Sequence, residues 1–216
     1  SACLVGSEMC IRDSNDYQLR ITDKNGQFIK ELLPVDPKSK VLHGLGQNFY
    51  VYDGKLNVFP HFSNTIFSIT PDSTTQRYHF YFGDYHFPDD EIFQKKEYNS
   101  QAIMSEIMNN SYVRLMAPYE TDEHLLVKYY VKRQVLLGIY NKKKHTAINL
   151  DPEMVIDSLH LGTFPVPIGF NHNEFIGQLT LDIQQKNRIM IPELQKLMAD
   201  YSEDSNPILI FYSLRS

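Results

Sequence analysis

The sequence predicts an all-β fold with small helical inserts, arranged as a partial β-propeller of about three to four four-stranded antiparallel blades. Three observations predict it. Short runs alternate aromatic and β-branched residues with polar ones, turn residues separate most of the runs, and the order of strands repeats along the chain.

In chain order, YQLRIT (17–22) leads through DKNG, whose Asn25-Gly26 pair is a strong hairpin signal, into QFIKELL (27–33). QNFYVYD (47–53), a turn at Gly54-Lys55, LNVFP (56–60), NTIFSIT (64–70), a Pro71-Asp72-Ser73 turn and QRYHFYF (76–82) read as a four-stranded meander. SYVRLMAPY (111–119), HLLVKYYVK (124–132), VLLGIYN (135–141) and HTAINL (145–150) read as a second. A third begins at IDSLHLG (156–162), runs through FPVPIGF (164–170) and EFIGQLT (174–180), and closes with NPILIFYSL (206–214).

Helical inserts interrupt the meander near 88–110 and 190–202. Pro88 suits a first helical position, Asp89, Asp90 and Glu91 suit the positive end of a helix dipole, and Lys95 and Lys96 suit the negative end. A second short helix from Ser100 places Ile103, Met104, Ile107 and Met108 on one face and stops at Asn109-Asn110. The later insert starts at Pro192, with Met190, Leu194, Leu197, Met198 and Tyr201 forming one apolar stripe.

Residues 50–72 laid over 129–151 match strand, turn, strand, polar turn, strand and a final Asp. Self-similar four-stranded units are the signature of propeller blades, which bury their faces against neighbouring blades. At ~40–45 residues per unit, the chain from residue 15 without its inserts holds roughly three and a half blades. That is short of the four to eight that close a ring.

The 216 residues make one ordinary domain or part of a larger one. With 21 Lys+Arg against 26 Asp+Glu and a net charge of −5, the counterion-release term that drives nucleic-acid binding is missing, so nucleic acid is excluded as a main partner. No apolar run approaches the length of a membrane span. Lys142-Lys143-Lys144-His145 falls in a hairpin turn and reads as a solvated tip.

Both cysteines, Cys3 and Cys10, lie in SACLVGSEMCIRDS (1–14), at a spacing that matches no zinc or redox motif. This string closely resembles a translated sequencing-linker fragment that recurs at the ends of proteins from assembled metagenomes. The expectation is that residues 1–14 are a non-native linker translation and that 15–216 is the C-terminal part of a propeller domain.

No sequence motif carries catalysis. There is no G-x-S-x-G elbow, H-E-x-x-H pair or Gly-rich phosphate loop, and no cofactor is expected. His79, Asp84, His86, Asp89, Asp90 and Glu91 fall within thirteen residues, but they divide between a strand, a turn and a helix start, so no metal site is expected. The candidate binding residues are His61 and Asn64 in an inter-strand loop, with His79 and His86. Tyr (14) and Phe (13) are abundant and Trp is absent; most rings read as blade core, and nothing in the sequence supports a sugar site built on Tyr.

YQLRITDKNGQFIKELLP, YDGKLNVFPHFSNTIFSITPD and EDSNPILIFYSLRS resemble the C-terminal portion of a six-bladed, NHL-like β-propeller family of exported lipoproteins from Gram-negative gut anaerobes. The resemblance covers most of residues 15–216. It implies a location in the periplasm or at the outer-membrane surface, a lipid anchor in the missing N-terminal part, and a non-catalytic propeller that binds a protein or saccharide partner. The alternative is a propeller lyase or hydrolase with its site at the central channel, for which His61, His79 and His86 are the only hints. Long-read sequencing across the Ser14–Asn15 junction is expected to replace residues 1–14 by further blades behind a signal peptide. If the fourteen residues stay in the native gene, Cys3 and Cys10 are genuine and a smaller open β-domain takes the place of the propeller.

Overall fold

The computed structural model describes residues 17–34, 49–60, 63–70, 73–86, 112–132, 134–152, 164–179 and 206–214, with single positions at 105, 109, 192 and 196. Within them, thirteen strands form four antiparallel sheets in which each strand pairs with its neighbour in sequence. The sheets are β1 (Tyr17–Thr22) and β2 (Phe28–Pro34); β3 (Phe49–Tyr52), β4 (Lys55–Val58), β5 (Thr65–Ile69) and β6 (Thr74–His79); β7 (Arg114–Glu120), β8 (His124–Val131), β9 (Gln134–Asn141) and β10 (Thr146–Leu150); and β11 (Pro167–Phe170), β12 (Phe175–Leu179) and β13 (Ile208–Tyr212). The all-β meander is as the alternation predicts. Ser105, Asn109, Pro192 and Lys196 have helical backbone, inside the two predicted inserts. The rest of those inserts, including the helix from Pro88, and the strand predicted at 156–162 lie outside the described residues.

Backbone contacts divide the chain into two units, Ser1–Leu115 with Tyr130–Gln134, and Met116–Tyr129 with Val135–Ser216. In the first, Leu19, Val58 and Ile69 form a buried cluster, joined by Ile21, Leu32 and Leu33 of the β1–β2 hairpin and by Phe49, Leu56 and Phe67 of the four-stranded sheet. In the second, Leu126, Leu137 and Phe175 are fully buried, and Tyr119, Ile139, Leu150, Phe164, Val166, Phe170, Tyr212 and Leu214 pack around them.

Turn chemistry sets the register. The β3–β4 turn is Asp53-Gly54, both at positive φ (50° and 66°), so Tyr52 pairs with Lys55. The turn therefore sits one residue earlier than the predicted Gly54-Lys55, because the primed two-residue turn needs left-handed backbone at both central positions. β1 and β2 form the hairpin that Asn25-Gly26 signals, joined by residues 23–27. Asp23 Oδ1 accepts the backbone N–H of Asn25 (2.9 Å) and Gln27 (2.8 Å), and only Gly26 takes positive φ (79°). A short acceptor side chain at the start of the loop organises it and leaves Gly26 the one left-handed step.

The second core leaves no room for a side chain at Gly177. A Cβ there would stand 2.9 Å from Pro165 Cβ, 3.1 Å from the Pro165 carbonyl oxygen and 3.2 Å from the Tyr212 ring. Tyr212 fixes the same place by donating its hydroxyl to the Pro165 carbonyl (2.7 Å) while its ring meets Phe164 edge-on at 5.6 Å. Urea denaturation of Gly177→Ala is expected to show a loss of about 1–3 kcal/mol from overpacking, and Phe175→Ala a loss of about 3–5 kcal/mol from the cavity it leaves. A neutral Gly177→Ala would mean that the segment at Pro165 yields freely.

Candidate functional site

β5 and β6 pair so that Thr65 stands opposite His79, and the chain then turns through a single 3-10 turn, Gly83–Tyr85, to His86. This brings together three of the four candidate residues. Asn64, 4% exposed, places its side-chain amide nitrogen 3.1 Å and 3.2 Å from the two ring nitrogens of His86. The Asn64 carbonyl accepts the Phe80 N–H (2.8 Å), which extends the β5–β6 ladder to the site. His79 Nδ1 lies 2.9 Å from Thr65 Oγ1, and the two imidazole centroids are 6.0 Å apart. His61 lies outside the described residues.

Tyr81 lies beside the His86 imidazole, and Tyr85 precedes His86 at the end of the 3-10 turn. Tyr81 is 83% exposed with its ring 6.0 Å from that of His86, and Tyr85 carries the Lys132 ammonium 4.2 Å from its ring centroid, the lysine also donating to the Tyr85 hydroxyl. Lys132 holds left-handed backbone (φ 48°) in the β8–β9 turn, a conformation that costs a non-glycine residue energy. The cluster thus offers two imidazoles, held by the buried Asn64 amide and Thr65 hydroxyl, beside the exposed Tyr81 ring. Among the described residues no three His, Cys, Asp or Glu side chains are grouped to hold a metal ion. Asp89, Asp90 and Glu91 lie outside them.

A second polar cluster, in the second unit, escaped the sequence. Glu120, at the end of β7, is fully buried, and Lys142 Nζ reaches its Oε1 at 2.7 Å and the Thr121 carbonyl at 2.6 Å. His124 is 4% exposed, and its Nε2 is 3.1 Å from the Asn141 amide nitrogen. Burial pushes the His124 pKa below the ordinary histidine value; Lys142 and Lys143 push the same way and Glu123 opposes them. The basic run is therefore not simply a solvated tip. Lys142 is drawn in by Glu120, while Lys143 stays exposed and pairs with Glu123, whose pKa it lowers through a hydrogen bond and its charge. In sequence, PYETDEH and NKKKH both read as charged turns, and nothing local says that Glu120 and Lys142, twenty-two positions apart, will meet.

Lys142→Ala should cost about 3 kcal/mol in urea denaturation, the low end for breaking a buried pair, because Lys142 keeps some contact with solvent. Lys143→Ala, which breaks an exposed pair, should cost much less. Equal losses would show that Glu120 does not depend on its lysine.

The chain shares its fold with the crystal structure of a protein of Bacteroides fragilis NCTC 9343 named "Putative exported protein". The TM-score is 0.79 at 20% identity, over all of this chain and 65% of that one. At that identity the likeness is one of fold, and this chain spans 65% of the length of that solved protein. No curated protein matches it. The sequence matches a family described as "Domain of unknown function (DUF4934)" over residues 1–213, a span that takes in the fourteen opening residues read above as a linker translation, and the chain belongs to that family.

Proposed function

We propose that this chain is a non-catalytic binding region of an exported β-propeller, and that its ligand is a saccharide held at the Asn64, His79 and His86 cluster. The observation that carries the site is Tyr81: a ring left 83% exposed beside the His86 imidazole, which the buried Asn64 amide meets. A flat ring face next to fixed polar groups suits a sugar, whose C–H face stacks while its hydroxyls exchange hydrogen bonds with the imidazoles, that of His86 being held from behind by the buried Asn64 amide. Fixing Asn64 by burial lowers the ordering cost of binding.

Support for the propeller is the succession of antiparallel meanders, two of them four-stranded, together with the likeness in fold to a longer protein. Support for export is the name that solved protein bears. The same imidazole pair is what a lyase or hydrolase reading would use, so binding and turnover are measured together.

A glycan array probed with the full chain, followed by calorimetry on the hits, is expected to return saccharide ligands whose affinity falls about tenfold in Tyr81→Ala, the size of one lost stacking contact. Ligands that bind Tyr81→Ala as well as the native chain would move the site elsewhere, and an array without hits would leave a protein partner as the reading. Conversion of a bound saccharide, lost in His79→Ala or His86→Ala while binding persists, would make the chain an enzyme.

A further inference from the structure

We propose that His124 and Asn141 form an acid-sensitive latch on the β9–β10 turn, closed while His124 Nε2 is unprotonated and released when that nitrogen takes a proton. The argument is one of hydrogen-bond polarity. Asn141 Oδ1 accepts the backbone N–H of Lys143 (3.0 Å) and of Lys144 (2.8 Å), the two bonds that fold the turn back on the end of β9. With its oxygen so committed, the Asn141 amide presents N–H to His124, 3.1 Å away. His124 Nε2 must then be the acceptor, which makes the imidazole neutral with its proton on Nδ1.

A proton on Nε2 sets donor against donor in a site where both side chains are buried. Rotating the Asn141 amide to offer its oxygen to His124 relieves that clash only by turning its NH2 on the Lys143 and Lys144 N–H groups. Either way the turn loses bonds that hold it. The turn also carries Lys142, bonded to Glu120 and to the Thr121 carbonyl, and its Lys142 N–H donates to the Glu123 carbonyl (2.8 Å). Opening it therefore disturbs the β7–β8 turn, whose Asp122 N–H in turn donates to the His172 carbonyl of the β11–β12 turn (2.8 Å).

The charged groups around the latch bias it in both directions. Lys142 and Lys143 oppose a proton on His124, and Glu123 favours one. Glu120 is held by Lys142, Asp122 faces His172 at 3.6 Å, His145 lies 3.0 Å from the Tyr140 hydroxyl, and Glu174 accepts from the Asn171 amide. The downward shift that burial gives His124 agrees with the geometry. The unfolded chain then takes up this proton at higher pH than the folded one, so His124's contribution is fully present above the ordinary histidine pKa and is lost progressively as pH falls from there through the lower pKa of the folded chain.

The test is NMR of the full chain between about pH 7.5 and pH 5, a range above most carboxylate titrations. At the upper limit His124 should show the neutral Nδ1–H tautomer. On acidification the Lys143 and Lys144 amides should shift and lose exchange protection in step with its ring. Asn141→Asp should reverse the sense. The carboxylate still accepts both turn amides and also accepts from an imidazolium, so His124 should titrate at higher pH than in the native chain and the turn amides should keep their protection. His124→Gln, which retains an acceptor but does not titrate, should leave those amides indifferent to pH across the range. Turn amides that ignore the His124 titration, an Asn141→Asp change that leaves that titration unmoved, or a pH response that survives His124→Gln would each overturn the latch.

Discussion

A two- to four-stranded antiparallel sheet cannot stay folded with both faces in water, and the rest of this structure depends on that constraint. The β1–β2 hairpin is the plainest case, because its Leu19 is fully buried only in company with Val58 and Ile69 of another sheet. In the second unit Leu126 and Leu137 of one sheet and Phe175 of another do the same. The middle strands show the effect in their burial. β8 buries Leu125, Leu126 and Val127 in succession, so both faces of that strand are covered. β10 and β13, each paired on one side only among the described strands, differ. Ile148 of β10 and Leu209 and Phe211 of β13 stand more than half exposed.

Apolar faces decide which sheets meet, but polar side chains at strand ends decide how the chain turns between strands. Asp23, Asn141 and Asn171 each accept two backbone N–H groups from residues a few positions on, giving the loop a local partner in place of the ladder it leaves. Both polar clusters grow from such strand ends. Asn64 precedes β5 and His86 follows the turn after β6, while Glu120 closes β7 and His124 opens β8. Strand ends are where a small sheet can hold polar groups without breaking its ladder, so a meander concentrates its chemistry there.

That division explains how much was legible in the sequence. The strands were, since period-two alternation with β-branched and aromatic residues is a local signal, as in YQLRIT and TIFSI. Turn positions are legible to within a residue, and the β3–β4 turn falls one residue early because Asp53, like Gly54, accepts left-handed backbone. The meeting of His79 with His86 near Asn64 followed from a hairpin whose partners are close in sequence, so three of the four candidates come together. The Glu120, His124, Asn141 and Lys142 set was hidden, because a charged turn looks the same in sequence whether its lysine faces water or a buried carboxylate.

The hidden cluster sits where hydrophobic patterning says least. A strand with one buried face resists a one-residue slip, since the slip carries every apolar side chain into water. β8 has no such protection, because neighbours on both its faces are buried and a slipped strand would still bury apolar groups. Polar contacts with fixed partners supply the missing preference. In a slipped register His124 would no longer meet the Asn141 amide, and the turn that carries Lys142 would leave the fully buried Glu120. Each loss is large because the groups are desolvated, while the net gain from forming the contacts is small. On this reading the buried ion pair and the histidine–asparagine bond add less to stability than to the uniqueness of the β8 register, and that register also places Tyr129 against Asn149 of β10 at 3.0 Å.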